Sequence, residues 1–468
     1  MKIILTCCVA ALGVAGCATY EPRPLSPSAT VTAYEARTLD NPGLRAFVQR
    51  NIDHDLGTWP PSRWDLELLT LAAFFYHPDL DVARAKWGVA RAGELTAGMR
   101  PNPTINANIQ RNADTPSGTS PWTLGLNLDI PIETAGKRGY RIEQARHLSE
   151  AAHVAIVSTA WQVRSRVRSA LLDLHVAQRN HEILLRQQQL QQTNVTLLEH
   201  RLAVGMASTP EVTLARIALT QSTLALNDAE RLQLDARTRL AGALGLSSEA
   251  LNKVAIAADP LTLASALPTN EAREQALLNR GDVLGALAEY AASQSALQLE
   301  IAKQVPDAHL GPGYTWDQGA RKWSVGLSLV LPVLNRNEGP VAEARARRVQ
   351  AAANFDATQA RAINEIEVAL SAYRASREKL IAVEALVAEQ NNQLRKAETS
   401  FKAGETDRVA LVGAQLELTQ IALSRADAQA KTQQAWGALE DAMQRPLAAP
   451  SLPATAIQDN PRPTKEKQ

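Results

Sequence analysis

The chain of 468 residues has three cysteines, Cys7, Cys8 and Cys17, and none after position 17. No disulfide framework, cysteine zinc site or thiol nucleophile can exist in its body. Aromatic residues make up only 4%. Charge of one sign is also missing: 49 Lys and Arg face 48 Asp and Glu. That balance argues against a dedicated nucleic-acid binder, which carries a basic excess or stripe. There is no phosphate-binding loop, no dinucleotide fingerprint and no Gly-x-Ser-x-Gly elbow. What is present is a 45% hydrophobic content, too high for a disordered chain. Abundant Ala, Leu, Gln, Glu and Arg with few rings read as long, closely packed helices.

The first residues read as an address. Lys2 precedes an apolar run from Ile3 to Ala15, too short to span a membrane as a helix. It ends in Val14-Ala15-Gly16-Cys17. This resembles the lipobox of bacterial lipoproteins, which implies that residues 1–16 are a signal peptide and that Cys17 is lipidated. The alternative is an ordinary secretory signal with a chance cysteine. Residue 18 is alanine, not the aspartate that retains such lipoproteins in the inner membrane, so the resemblance implies an outer-membrane destination. Glu21 to Pro27 (EPRPLSP) reads as a Pro-rich tether.

An internal repeat organises the rest. Trp122-Thr-Leu-Gly-Leu-Asn-Leu-Asp-Ile-Pro131 lines up with Trp323-Ser-Val-Gly-Leu-Ser-Leu-Val-Leu-Pro332 at an offset of 201, with five of ten positions identical. His77-Pro-Asp-Leu80 echoes Arg280-Gly-Asp-Val283, and Ala203-Val-Gly205 echoes Lys402-Ala-Gly404. The expected domains are a tether and belt at 17–64, a first repeat at 65–246, a linker at 247–268, a second repeat at 269–445 and a polar tail at 446–468. Each repeat runs strand, strand, long helix, turn, helix. The first has strands at 103–110 and 122–131 and helices at 137–204 and 208–245. The second has strands at 308–316 and 323–331 and helices at 340–403 and 406–445.

The long helices follow from missing breakers. Arg141 to Val204 and Val341 to Ala403 contain no Gly or Pro. At 1.5 Å per residue, each would be roughly 95 Å long. Their scattered charges exclude a membrane span. Leu148, Ala152, Ala155, Thr159, Val163, Val167, Leu171 and Leu174 trace the expected buried face of the first. The strands alternate. Asn106, Asn108, Thr123, Asn127, Asp129 and Ser328 share the polar phase, and aliphatic residues the other. This is the pattern of membrane-barrel strands, apolar outward and polar inward. Trp122, Trp316 and Trp323 sit where an aromatic girdle would place them. Two ordinary hairpins of a soluble protein are the alternative. Four strands cannot close a barrel, and hydrocarbon does not tolerate open edges. In a membrane, further copies must complete the sheet, and three copies would supply twelve strands.

The whole arrangement resembles the TolC-type outer membrane factors, from about Asp65 to Gln444. The resemblance implies a mainly α chain with a small β part. It implies a homotrimeric 12-strand barrel in outer-membrane lipid, continued by a periplasmic helical barrel. The run Ile130-Pro-Ile-Glu-Thr-Ala-Gly-Lys-Arg138 resembles the heavy-metal efflux branch, the CzcC-like proteins. By the same resemblance the chain is a passive exit duct, not an enzyme, and needs no cofactor. A periplasmic adaptor couples it to an inner-membrane proton-driven pump of the resistance-nodulation-division type.

The resemblance makes the turns after the long helices periplasmic tips, where the adaptor docks: Gly205, Ser208 and Pro210, and Gly404, Thr406 and Asp407. Their chemistry also fits simple capping. Gly205 and Gly404 can adopt the left-handed conformation that stops a helix. Ser208 or Thr209, and Thr406 or Asp407, are N-cap candidates, and Pro210 suits a first turn. Related ducts carry an acidic gate residue before an Ala-Gln pair; here Gly413 precedes Ala414-Gln415. Glu211, Glu405 and Gln415 are the remaining gate candidates, with Asp407 nearby. Acidic residues in a first helical turn are also favoured by the helix dipole alone. Glu150-Ala-Ala-His153 has the spacing of a helical di-iron ligand pair, but no matching second copy exists. His181-Glu182 lacks the second His of a zinc-protease helix. No metal site is expected. The other readings are a drug or protein-secretion duct, and a coiled-coil scaffolding lipoprotein that forms no channel.

Overall fold

The computed structural model describes residues 19–52, 56–252, 254–257, 267–447 and 457. The signal segment and Cys17 lie outside them. The elements are α1 (Pro27–Glu35), α2 (Pro42–Asn51), α3 (Leu66–Tyr76), α4 (Pro78–Gly98), β1 (Thr104–Arg111), β2 (Trp122–Ile132), α5 (Lys137–Ala203) and α6 (Thr209–Leu244). They continue with α7 (Ser248–Leu251), α8 (Asn270–Asn279), α9 (Gly281–Ala302), β3 (Ala308–Asp317), β4 (Ala320–Leu329), α10 (Glu338–Lys402) and α11 (Arg408–Met443).

The two halves repeat closely. The long helices α5 and α10 have 67 and 65 residues, and their return partners α6 and α11 have 36 each. At 1.5 Å per residue, α5 is about 100 Å long. The lower half of its expected face is correct: Val163, Val167, Leu171 and Leu174 are buried. In the upper half Ala152 and Thr159 are half-buried, while Leu148 and Ala155 are exposed. The core sits at mid-helix, where α3 and the end of α6 pack on α5 and α2 packs on α3. Above it, α4 and α9 pack along α5.

That core fastens the N-terminal segment. Arg37 donates to the carbonyl oxygens of Tyr76 (3.0 Å) and Gly245 (2.9 Å), so one guanidinium closes the C-terminal ends of α3 and α6. The Tyr34 hydroxyl donates to the Leu246 carbonyl at 2.8 Å. The tail is not wholly a polar appendage: Ile457 is buried in this core, and its carbonyl accepts from Arg84. A second buried knot joins the repeats. Arg164 and Arg168 on α5 meet Glu440 on α11 at 3.1 and 3.4 Å, and Arg168 also meets Asp441 at 2.5 Å. The Leu447 N–H donates to the other Glu440 oxygen. Gly437 leaves the room, because a Cβ there would collide with the Arg168 guanidinium.

The strands form one four-stranded antiparallel sheet in the order β1-β2-β3-β4. The two hairpins are therefore one surface rather than two. The β3–β4 connection is tighter than expected. It is the two-residue turn Gln318-Gly319, both with positive φ (52° and 107°), as primed hairpin turns require. Correspondingly, β4 begins at Ala320 and ends at Leu329, not 323–331.

Candidate functional site

Directly paired residues of an antiparallel sheet share a face, so the register sorts every strand side chain. Asn106 pairs with Asn127, Thr104 with Asp129, and Asn108 with Gly125. Asn127 in turn pairs with Gly313, Thr123 with Asp317, and His309 with Ser328. All six residues expected in the polar phase, Asn106, Asn108, Thr123, Asn127, Asp129 and Ser328, lie on one face. His309 and Asp129 meet there at 3.1 Å, and Lys322 is neutralised by Asp317 at 2.6 Å. The opposite face carries Ile105, Leu124, Leu126, Leu310, Val325 and Leu327, all exposed within the single chain. Both edge strands, β1 and β4, are exposed along their whole length. Their outer N–H and C=O groups have no partner strand among the described residues.

The tryptophans differ in level. Trp122 opens β2 opposite Arg111, and Trp316 lies one residue from the end of β3 opposite Arg321. Trp323, placed at a strand end by the sequence, is the fourth residue of β4. It pairs with Tyr314, one row deeper, because β4 starts three residues earlier.

The run 130–138 builds the joint from sheet to helix. Gly136 enters α5 with φ +72°. The Thr134 N–H donates to the Asp307 carboxylate at 2.9 Å, and Lys137 pairs with the same carboxylate at 2.7 Å. Arg138 and Arg141 donate to the carbonyls of Gly98 and Ala97 at the end of α4. Thr134, Lys137 and Arg138 of the run thus hold neighbouring chain ends against the joint, and Glu133 pairs with Arg141 at 2.6 Å.

The opposite ends of the long helices are the two turns. At the first, the Gly205 N–H donates to Leu202 O and the Met206 N–H to Arg201 O. At the second, the Gly404 N–H donates to Phe401 O and the Glu405 N–H to Ser400 O. Both glycines have positive φ, +74° and +76°, so each turn is a Schellman stop. Ser208 starts α6 with a reciprocal capping box: its hydroxyl accepts from the Glu211 N–H, and its N–H donates to the Glu211 carboxylate at 2.6 Å. The Ser208 N–H bond holds the Glu211 carboxyl below its ordinary range. Pro210 falls in that first turn. At the second turn the N-cap is Asp407, which accepts from the Ala410 N–H at 2.9 Å. Thr406 lies outside the helix and makes no cap.

The sequence reading missed Arg201. Its guanidinium forms an ion pair with Asp407, tying the C-terminal end of α5 to the N-terminal end of α11. The Ala410 N–H bond is the main force holding the Asp407 carboxyl low; slight burial opposes it and Arg201 adds to it. No sequence spacing reveals a contact 206 residues apart. The capping box was legible as Ser208-x-x-Glu211 and was overlooked. Glu405 is exposed at the tip, and Gln415 lies half-buried two turns into α11. Glu211 and Glu405 thus lie at the two tips, and Gln415 lies two turns along α11. His153 lies against the Trp87 ring, with centroids 4.8 Å apart.

Comparison with known proteins agrees with this architecture. The family model for outer membrane efflux proteins matches residues 75–246 and 272–444, the two repeats. The chain belongs to the outer membrane efflux protein family, whose members are passive channels rather than enzymes. It is 25% identical, over 73% of its length and 81% of the relative's, to the cobalt-zinc-cadmium resistance protein CzcC of Cupriavidus metallidurans. Its fold is similar to that of the outer membrane protein VceC of Vibrio cholerae, with a TM-score of 0.67 and 22% identity, over 81% of this chain and 95% of that one. CusC, a protein described as forming a transmembrane channel, gives 0.66 at 18% identity over 84% and 95%. The TolC-type, CzcC-like reading of the sequence is upheld.

Proposed function

We propose that three copies of this chain close a 12-strand barrel in the outer membrane, with the duct continued through the periplasm by the long helices. The observation that carries this reading is the open four-stranded sheet. It has one polar face, one apolar face and two bare edges. An exposed edge inside hydrocarbon costs several kcal/mol per unsatisfied group, and β4 of one copy against β1 of the next removes both edges. The face carrying Asn106, Asn108, Asn127, Asp129 and Ser328 then lines a water-filled lumen. Trp122, Trp316 and Trp323 face lipid, and Cys17 carries acyl chains that add a second anchor.

The turns around Gly205, Ser208, Pro210, Gly404, Thr406 and Asp407 are the tips to which a periplasmic adaptor docks. The adaptor joins the duct to a proton-driven resistance-nodulation-division pump in the inner membrane, which supplies the energy. The Arg201–Asp407 pair holds the two tips of each copy together, and its release accompanies opening. Glu211 serves first as a cap, which leaves Glu405 and Gln415 as the freer gate positions. The cargo is heavy-metal cations, a reading supported by the resemblance to CzcC. A strain lacking only this gene tests it. Selective sensitivity to cobalt, zinc or cadmium salts, restored by the intact gene, is expected; sensitivity to dyes, detergents and antibiotics alone overturns the metal cargo.

A further inference from the structure

The apolar face of the sheet changes character in rows. From the helix-joined end it runs through Leu329, Leu327 and Val325 on β4, and Ile105, Ala107 and Ile109 on β1. It then meets an aromatic row, Tyr314 against Trp323, with ring centroids 4.8 Å apart. It ends at the free turns with Trp122 and Trp316, each directly opposite an arginine: Arg111 and Arg321. The Arg111 guanidinium lies 5.9 Å from the Trp122 ring centroid. Arg321 to Leu329 is nine residues of β4, the length of a tilted membrane-spanning strand, about 9–11 residues. The order aliphatic, aromatic, arginine matches hydrocarbon, interface and headgroup.

The charge at this end is unevenly compensated. On the polar face, Lys322 is neutralised by Asp317. On the outward face, Arg111 and Arg321 are exposed, and neither makes an ion pair among the described residues. Asp114, the one carboxylate of the β1–β2 loop, pairs with neither. Two unpaired guanidinium groups, each set at the level of an indole, face the side a membrane must cover. Arginine recognises phosphate in a bidentate fork, which lysine cannot reproduce.

We propose that Arg111 and Arg321, beside Trp122 and Trp316, form a lipid-phosphate site on the outer rim of the barrel, with the phosphorylated headgroups of the outer leaflet as ligand. The site rests on the membrane-barrel reading above. In a trimer it recurs three times and pins the height of the barrel in the bilayer.

The test uses the full-length protein in phosphatidylcholine vesicles, with or without diphosphorylated lipid A. The readout is the temperature at which the assembled protein dissociates on a denaturing gel. The wild type is expected to dissociate several degrees higher when lipid A is present. R111Q/R321Q should lose that rise, R111K/R321K should keep only part of it, and K322Q, on the other face, should keep all of it. An equal rise in R111Q/R321Q overturns the site, as does an equal rise given by inorganic phosphate without lipid A. If the Gln variant fails to assemble, R111K/R321K decides: a full rise overturns the site. Assembly in phosphatidylcholine alone reports on the barrel itself, so failure of the lipid site and failure of the barrel are told apart.

Discussion

At the residue scale, the most consequential groups are charges removed from water. Glu440 and Arg164 have side chains only 5% and 6% exposed. Breaking a buried pair by removing one partner costs about 3–5 kcal/mol, because the other charge stays behind unpaired. Glu440→Ala orphans Arg164 and leaves Arg168 with Asp441 alone, and is expected to lower the thermal midpoint sharply in detergent, whereas Arg164→Met with Arg168→Met and Glu440→Leu should recover most of the loss. Gly437→Ala should act like a milder Glu440→Ala, since it displaces Arg168 without deleting a charge. His77 gives a pH prediction. It caps α4 by accepting the Asp79 N–H on Nδ1 at 3.2 Å. Burial drives its pKa below the ordinary value of 6.5, with Asp79 opposing. The folded state therefore prefers the neutral ring. Its contribution is complete above pH 6.5 and is lost as the pH falls toward the depressed native value. His77→Asn keeps a cap oxygen and should flatten the thermal midpoint across that window.

At the scale of elements, the two tips and the sheet carry separate predictions. Asp407 both caps α11 and pairs with Arg201, so Asp407→Ala should speed amide exchange over residues 408–411 and loosen the end of α5. Arg201→Gln should loosen α5 but spare the α11 cap. The Asp407 carboxyl is held below its ordinary value of 3.8, so the cap and the pair persist at neutral pH and are lost only as the pH falls toward the depressed native value. The strand edges make the other prediction: single cysteines placed along β1 and β4 should cross-link between copies on oxidation, giving covalent species larger than one chain on a gel. Much of this scale was legible beforehand. Breaker-free runs of more than 60 residues gave both long helices, and alternation gave all four strands and their polar phase. The misses have physical causes. The β4 start was misread because Ala320 to Lys322 looks like a polar loop, although a Gln-Gly turn lets it pair at once with β3. The upper face of α5 is only partly covered: Ala152 and Thr159 are half-buried, whereas Leu148 and Ala155 stay exposed.

For the whole molecule, duplication explains why one sequence suffices. Each half supplies a hairpin, a long helix and a return helix, and the Arg164–Glu440 knot and the β2–β3 pairing join the halves into one unit. The repeat, the fold class and the family could be read from the chain. The long-range fastenings could not, because Arg37, Arg201 and Arg280 look like ordinary surface charges until the fold brings their partners to them. Arg280, for instance, is buried between Asp282 and Glu365, at 2.7 and 2.8 Å. The central claim is that copies of this chain close each other's sheet edges. Electron microscopy of the purified full-length protein tests it most directly. The account predicts a three-fold particle with a continuous pore, β4 of each copy hydrogen-bonded to β1 of the next. A stable monomer, or an assembly that leaves those edges unpaired, would contradict it.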